Sequence, residues 1–428
     1  MQIIEVKEKA ERKAFHQVAY SIYVDDKNWI APLEVMADSA FDPAKNAFLK
    51  HGEGTRWILK DGHGELIGRI GAFINRNKCD TFRQPTGGVG YFECTNDQAA
   101  ADLLFDTARE WLAARGMEAM DGPVNFGENL INWGLLVHGF MPQGFGMPYN
   151  KSYYLSLFEN YGFKIYFEQY TYHLDRNVPF PERFWKIAEW VANKPHFRFE
   201  HVRFSNLEQH IREFTHIYEE AWASHDNHQE VDLDDIRGMM KIAKLIADEE
   251  FIWFAYHDEE PVLFFGMIPD WNQLLAKMKG KLNFWTLIKF FWYQKIKTIN
   301  RTRILVMGVV PKFQGSGLES AVFWHLDKIM KRKPWYQEVE LSWVGDFNPK
   351  MVAMYMSVGG VHSKTHYTMR YLFDKNAPFE RAPMLMKEVR LLREERGNSA
   401  HAKQEGAGSN PEPGKKSFVE KSSGEQKA

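Results

Sequence analysis

Residues 304–320, ILVMGVVPKFQGSGLES, join a β-branched run to a glycine turn and an amphipathic segment. The run Ile304 to Val310 reads as a buried strand that Pro311 ends, and Gln314-Gly315-Ser316-Gly317 opens a helix over Leu318 to Lys331. A helix N-terminus carries N–H groups without intrahelical partners and the positive end of the helix dipole, so such a turn can hold a pyrophosphate. The same glycines would equally serve a tight turn that needs positive φ and binds nothing. Glu319 follows them, and a carboxylate facing phosphates would repel them unless it turned to solvent. His225, His228 and Glu230 offer a base and an H-x-x-H pair, but no third ligand accompanies them, so a solvated, metal-free loop is expected there.

Two other stretches carry chemistry-bearing side chains. In 121–149, Asn125, Asn129, Asn132 and Tyr149 could meet a polar acceptor, or the stretch could simply cover a domain face. Leu282 to Tyr293 is aromatic and flanked by Lys277, Lys279, Lys281, Lys295, Lys297, Arg301 and Arg303. It reads as an interfacial helix touching membrane or a lipid-like acceptor, or as a lid or homodimer contact. Apolar residues surround most of it, which favours the lid or interface.

The elements that must position these residues occur twice. The second half gives a strand at 197–204, helices at 207–224 and 233–247, and a hairpin, 251–256 with 262–268. The glycine-loop unit follows, then a strand at 338–344, a short helix from Asn348-Pro349 and an aromatic strand at 365–373. The first half gives 2–6, a helix at 10–23, a hairpin (56–59 with 66–74) turning at Asp61-Gly62-His63-Gly64, a strand at 89–94, and a helix at 99–115. Its closing helix, glycine and aromatic strand run from 153 to 174. The repeated order predicts a duplicated α/β (α+β) fold: 1–175, a linker 176–196 with three prolines, and 197–376 with an insertion at 270–303. The polar, charged tail 377–428 is expected to be mostly disordered.

At 428 residues, 44% hydrophobic and 15% aromatic, the chain can bury large cores. A net charge of −2 gives no pull toward nucleic acid, and no nucleic-acid partner is expected. Two cysteines, Cys79 and Cys94, exclude a disulfide framework and a cysteine zinc cluster. The N-terminus has no apolar core of signal-peptide type, and no segment reaches the ~18 apolar residues of a membrane span. A cytoplasmic protein without stable membrane insertion is expected.

The loop Gln314-x-x-Gly317, with Asn348 seven residues before Tyr355 and Gly359 four after it, resembles the GCN5-related N-acetyltransferase family. The resemblance covers roughly 195–375 and extends more faintly into the first half. It implies two tandem acyl-CoA N-acyltransferase domains, with mixed, mostly antiparallel sheets flanked by helices. It implies acetyl-CoA or another acyl-CoA as co-substrate, with no metal. Val309 and Val310 would bind the pantetheine arm, and Gln314, Gly315, Ser316 and Gly317 the pyrophosphate. Asn348 would mark a parting of strands through which the thioester threads. Tyr355 would protonate the leaving thiolate, a role suited to a phenol of pKa ~10; it would otherwise be an ordinary buried aromatic beside Met351 and Val358.

At the matching first-half positions stand Phe158 for the Tyr and Lys151 for the Asn, and Thr95-Asn96-Asp97-Gln98-Ala99 lacks the glycines. A degenerate first domain is expected. The expected reaction is direct attack of a small-molecule or peptide amine on the thioester, since neither cysteine sits in a nucleophile motif. The alternative is a non-catalytic CoA-binding scaffold or sensor. Aminoacyl transfer from tRNA would need a basic groove, for which only 277–303 offers charge.

Overall fold

In the computed structural model the first half runs β1 (Gln2–Glu5), α1 (Lys9–Ile22), α2 (Glu34–Ser39), β2 (Gly52–Lys60), β3 (Leu66–Asn75), β4 (Thr86–Cys94), α3 (Gln98–Ala113), β5 (Ala119–Gly122), β6 (Leu135–His138), α4 (Tyr154–Tyr161) and β7 (Lys164–Asp175). After α5 (Glu182–Ala192), the second runs β8 (Phe197–His201), α6 (Leu207–Trp222), α7 (Leu233–Ile246), β9 (Ile252–His257), β10 (Glu260–Pro269), α8 (Asn272–Met278), α9 (Phe284–Lys295), β11 (Arg301–Val309), α10 (Leu318–Arg332), β12 (Glu338–Gly345), α11 (Pro349–Ser357) and β13 (Val361–Leu372). The structure describes residues 1–124, 126, 133–222, 233–280 and 284–384. Residues Met1–Pro383 make one compact unit. The tail beyond residue 384, Asn125, Asn129, Asn132, His225, His228 and Glu230 lie outside the described residues.

The period-2 hydrophobic runs pair as the turns between them dictate. β2 and β3 close around the Asp61 turn, and β9 and β10 around Asp258. The repeated order predicted from sequence is present, and the two halves share one 13-stranded sheet. Its order is β1-β2-β3-β4-β5-β13-β7-β12-β11-β10-β9-β8, with β6 also on β13. The closing strands are therefore exchanged. β13, from the end of the chain, pairs with β5, while β7, from the first half, pairs with β12.

Each half has its own core. α3 sets Leu104, Phe105 and Ala108 against the first half's strands, and Phe105 stacks on Phe92 at 4.6 Å. α6 and α10 set Phe214, Ile217, Ala321 and Val322 against the second half's strands. Residues 176–196, expected as a linker, include α5. Its apolar stripe, Phe184, Ala188 and Val191, is buried in the second core beside α10.

Both halves contain one parallel strand pair, and both pairs part after three residues. β4 and β5 match at Thr86–Gly88 with Ala119–Asp121; β11 and β12 match at Arg301–Arg303 with Glu338–Glu340. Beyond Arg303 and Glu340 no further β11–β12 register follows; Ser342 Oγ still spans the strands to the Leu305 carbonyl at 3.2 Å, and the gap runs from there towards Val309 and Gly345.

Candidate active site

Val309 faces this gap because of its register. It lies opposite Leu263 on β10, and the neighbouring Val310 N–H donates to the Val262 carbonyl at 3.0 Å. That pattern marks 309/263 as a non-hydrogen-bonded antiparallel pair, so the Val309 N–H and C=O point away from β10, towards the parting strands. The Val309 carbonyl accepts Gln314 Nε2 at 3.2 Å. The Val310 N–H is committed to the sheet, so of the two valines Val309 is the one with a backbone donor directed into the gap.

The first half has the same register and a different outcome. Cys94 lies opposite Gly68, and Thr95 N–H donates to the Ile67 carbonyl. The Cys94 N–H donates to Tyr154 Oη at 3.0 Å, and its carbonyl accepts Tyr153 Oη at 2.7 Å. Tyr154 and Tyr23 both donate to the buried Glu93 carboxylate at 2.7 Å. The following helix is also closed: Asp97 Oδ1 accepts the Ala99 and Ala100 N–H groups. Phe158 is buried, and Lys151 is paired with Asp26. Side chains of the protein thus fill the first half's counterpart of the gap.

After Val310 the chain makes a short 3₁₀ turn, Pro311–Phe313, and reaches α10 through Gly315 (φ 77°) and Gly317 (φ 87°). Side chains with a Cβ resist such φ values, and Gly317 also lies against α5: a Cβ there would sit 3.1 Å from Val191 Cγ2. Gln314 and Ser316 N–H bond back to Pro311 and Phe313 carbonyls. The Gly315 and Gly317 N–H groups donate to no described residue, and the ladder of α10 begins only at Ala321 N–H to Gly317 O. Glu319 is not fully turned to solvent. It is half-buried, and burial pushes its carboxyl up.

Asn348 follows the end of β12 and caps α11, its Oδ1 accepting Met351 N–H at 3.3 Å. Tyr355 on α11 is 2% exposed and meets Tyr172 edge-on at 5.6 Å. Burial raises its phenol far above the usual range, against the opposing charge of Arg303.

At the apex of the gap lies a buried ionic cluster. Lys364 Nζ is 2.5 Å from Glu340 Oε2, Arg303 Nε is 3.6 Å from Glu340 Oε1, and Arg303 Nη1 donates to the Phe145 carbonyl. Arg301 pairs with the fully buried Asp270 at 2.6 Å. Burial alone would raise the Glu340 carboxyl, but the charges of Lys364, Arg301 and Arg303 outweigh it and hold it down at about 2. Counting Asp270 and Glu340 as carboxylates leaves one cation in excess among these five groups. Period-2 alternation puts Leu341 and Tyr172 on the Tyr355 face and Glu340 and Thr171 on the other. On that other face His366 is fully buried, its ring 5.1 Å from Trp133. Burial, then the Lys364 charge, hold His366 down at about 3, so its imidazole is neutral. Neither ring nitrogen bonds a described residue, the Pro148 carbonyl lying near but outside hydrogen-bond geometry; Thr171 Oγ1 and Trp133 Nε1 are likewise buried without a described partner. Sequence reasoning passed over this cluster. Its one legible signal was charge at inward strand positions, Arg301-Thr302-Arg303 and Glu338-Val339-Glu340.

No family model matches the chain. Over 378 residues it is 30% identical to the bacterial ceramide synthase of Caulobacter vibrioides, covering 86% of this chain and 96% of that protein. It is 26% identical over 359 residues to protein YghO of Escherichia coli, covering 82% and 90%. Among solved structures, a tandem GCN5-related N-acetyltransferase protein from the clavulanic acid biosynthesis pathway superposes with a TM-score of 0.52 at 10% identity, over 89% of this chain and 99% of that one. The glucosamine N-acetyltransferase region of a fungal multi-domain β-N-acetylglucosaminidase gives 0.54 at 10% identity, over 86% of this chain and 38% of that one. At such identities these two structures speak for the fold alone. The chain has the tandem fold of the GCN5-related N-acetyltransferases, and with a relative of nearly equal length at 30% identity it belongs to the family of the bacterial ceramide synthase.

Proposed function

We propose that this chain transfers a fatty acyl group from acyl-CoA to the amine of a lipid long-chain base, forming an amide and free CoA in its second half. One observation carries the reading. In two copies of one strand register, Cys94 is closed by Tyr153 and Tyr154, whereas the Val309 amide is left directed into the gap. The lipid acceptor is inferred from the name of the Caulobacter relative.

In this proposal the pantetheine arm lies along β11 with its thioester near the Arg303–Glu340 apex. The diphosphate takes the open Gly315 and Gly317 amides. The neutral amine attacks the carbonyl carbon from the His366 face, and the Val309 N–H and the surplus cation stabilise the oxygen as it gains charge. The C–S bond then breaks, and Tyr355 gives its proton to the thiolate from the opposite face. Burial keeps that phenol protonated beforehand, and Arg303 offsets the tyrosinate formed. The proton lost by the amine passes to water, because His366, held at about 3, is too weak a base to keep it.

The test is thermal stabilisation by acyl-CoA together with release of free thiol. Stabilisation is expected in the parent and absent in Gly317→Glu, and thiol release should require a long-chain amine. Glu319, half-buried in the first turn after the glycines, favours a second reading: a CoA-binding scaffold without turnover. Stabilisation with no thiol release across lipid amines would establish that reading and overturn the first.

A further inference from the structure

The outward face of α9 has no covering in the described structure. Phe284, Trp285, Ile288, Phe291 and Trp292 follow i, i+4, i+7 and i+8 spacings, and Trp285 is 71% and Trp292 60% exposed. The opposite face is anchored: Phe290 stacks on Trp271 at 5.2 Å, and Tyr293 packs on the second core. Trp271 adjoins Asp270, which holds Arg301 and the Phe145 N–H, so the helix is tied to the apex of the strand gap.

The segment that carries this face has charge of one sign. From Trp271 to Leu318 the chain contains no Asp or Glu. Lys277, Lys279, Lys289, Lys295 and Lys297 are exposed, and none pairs with a described carboxylate. Two of them lie over aromatic rings instead, Lys277 over Tyr293 and Lys297 over Trp335. No helix among the described residues is long and apolar enough to cross a membrane, and the 12 residues of α9 reach only ~18 Å against a ~30 Å hydrocarbon core. Tryptophan and phenylalanine ringed by lysine suit the boundary between headgroups and acyl chains, where indoles settle and anionic lipids attract cations.

We infer that α9 docks the protein on an anionic bilayer surface, laying its Trp285/Trp292 stripe into the interface with its lysines on the headgroups. This goes beyond the proposed reaction and does not depend on it, because vesicle binding is read without acyl-CoA or amine. The experiment is flotation of the full chain with vesicles of phosphatidylcholine, alone or mixed with phosphatidylglycerol. Binding to the mixed vesicles is expected, with a blue shift of tryptophan emission and release at high ionic strength. The Trp285→Ser/Trp292→Ser variant, folded by circular dichroism, should lose at least ~10-fold in bound fraction. Lys289→Glu/Lys295→Glu should lose binding with both aromatics in place. No flotation, equal flotation of parent and tryptophan variant, or equal binding to the two vesicle types overturns the inference. A sedimenting dimer that the tryptophan variant dissolves, without vesicle binding, assigns the face to a second copy of the chain.

Discussion

Lys364, on the last strand, sets its Nζ 2.5 Å from Glu340 Oε2 on β12, with β7 lying between their two strands. Both side chains are 2% exposed. Removing Glu340 leaves Lys364 and Arg303 buried without their carboxylate, whereas removing Lys364 leaves Glu340 its Arg303. Glu340→Gln is expected to cost ~3–5 kcal/mol in urea denaturation, and Lys364→Met/Glu340→Gln to recover most of it. If the single variant melts like the parent, the pairing contributes nothing to stability.

The acid side of the stability profile follows from three groups. His366 is held at about 3 and His325, by burial and then the Lys328 charge, at about 4, against 6.5 for an unperturbed histidine. As pH falls below 6.5 the unfolded chain takes up these protons and the folded chain does not, so stability falls by up to ~1.4 kcal/mol per pH unit per group. Glu340, held at about 2 against 4.5, adds the same sign below 4.5. Denaturation midpoints should therefore drop from about pH 6.5 to pH 5, and His366→Gln should flatten that slope. An unchanged slope would show that His366 titrates normally.

Tyr355→Phe removes only an oxygen from a packed aromatic. A fall of ~10²–10⁴-fold in kcat with little change in KM or melting temperature is expected of a lost proton donor. Turnover at the parental rate would remove the residue from the mechanism.

The two loop glycines can be told apart. Gly315 has open space around its missing Cβ, whereas Gly317 has Val191. Both alanine variants bear the cost of positive φ, ~1–2 kcal/mol. Only Gly317→Ala must also displace α5, so it should melt lower than Gly315→Ala; equal melting would mean that α5 yields freely.

Tyr154→Phe should destabilise by ~1–3 kcal/mol, since it strips partners from Glu93 and the Cys94 N–H. Its response to acyl-CoA should equal the parent's. A lost response would make the first half part of the ligand site.

Much of this architecture was legible locally. The Asp61 and Asp258 turns announce their hairpins, and Gln314 to Gly317 announces a strand-to-helix junction, because turn chemistry acts over a few residues. Strand partnership does not. β7 and β13 are both long and aromatic, and nothing near either says that β7 joins β12 or β13 joins β5. Residues 182–192 were read as linker because prolines flank them, although Phe184, Ala188 and Val191 already carry a helical stripe. The ionic apex was hidden because Arg303, Glu340, Lys364 and His366 come together only after three distant strands have paired. Tyr153 and Tyr154 drew no notice as plugs, since what they close is a backbone edge rather than a motif.

The exchanged closing strands also order events in time. A ribosome releases β5 long before β13, so the early sheet must wait with that edge unsatisfied until residue 372 has left the exit tunnel. Newly made chains are therefore exposed to edge-to-edge association while the stretch from Gly122 to Leu372 is added, and truncated products that lack β13 would be born with an adhesive margin.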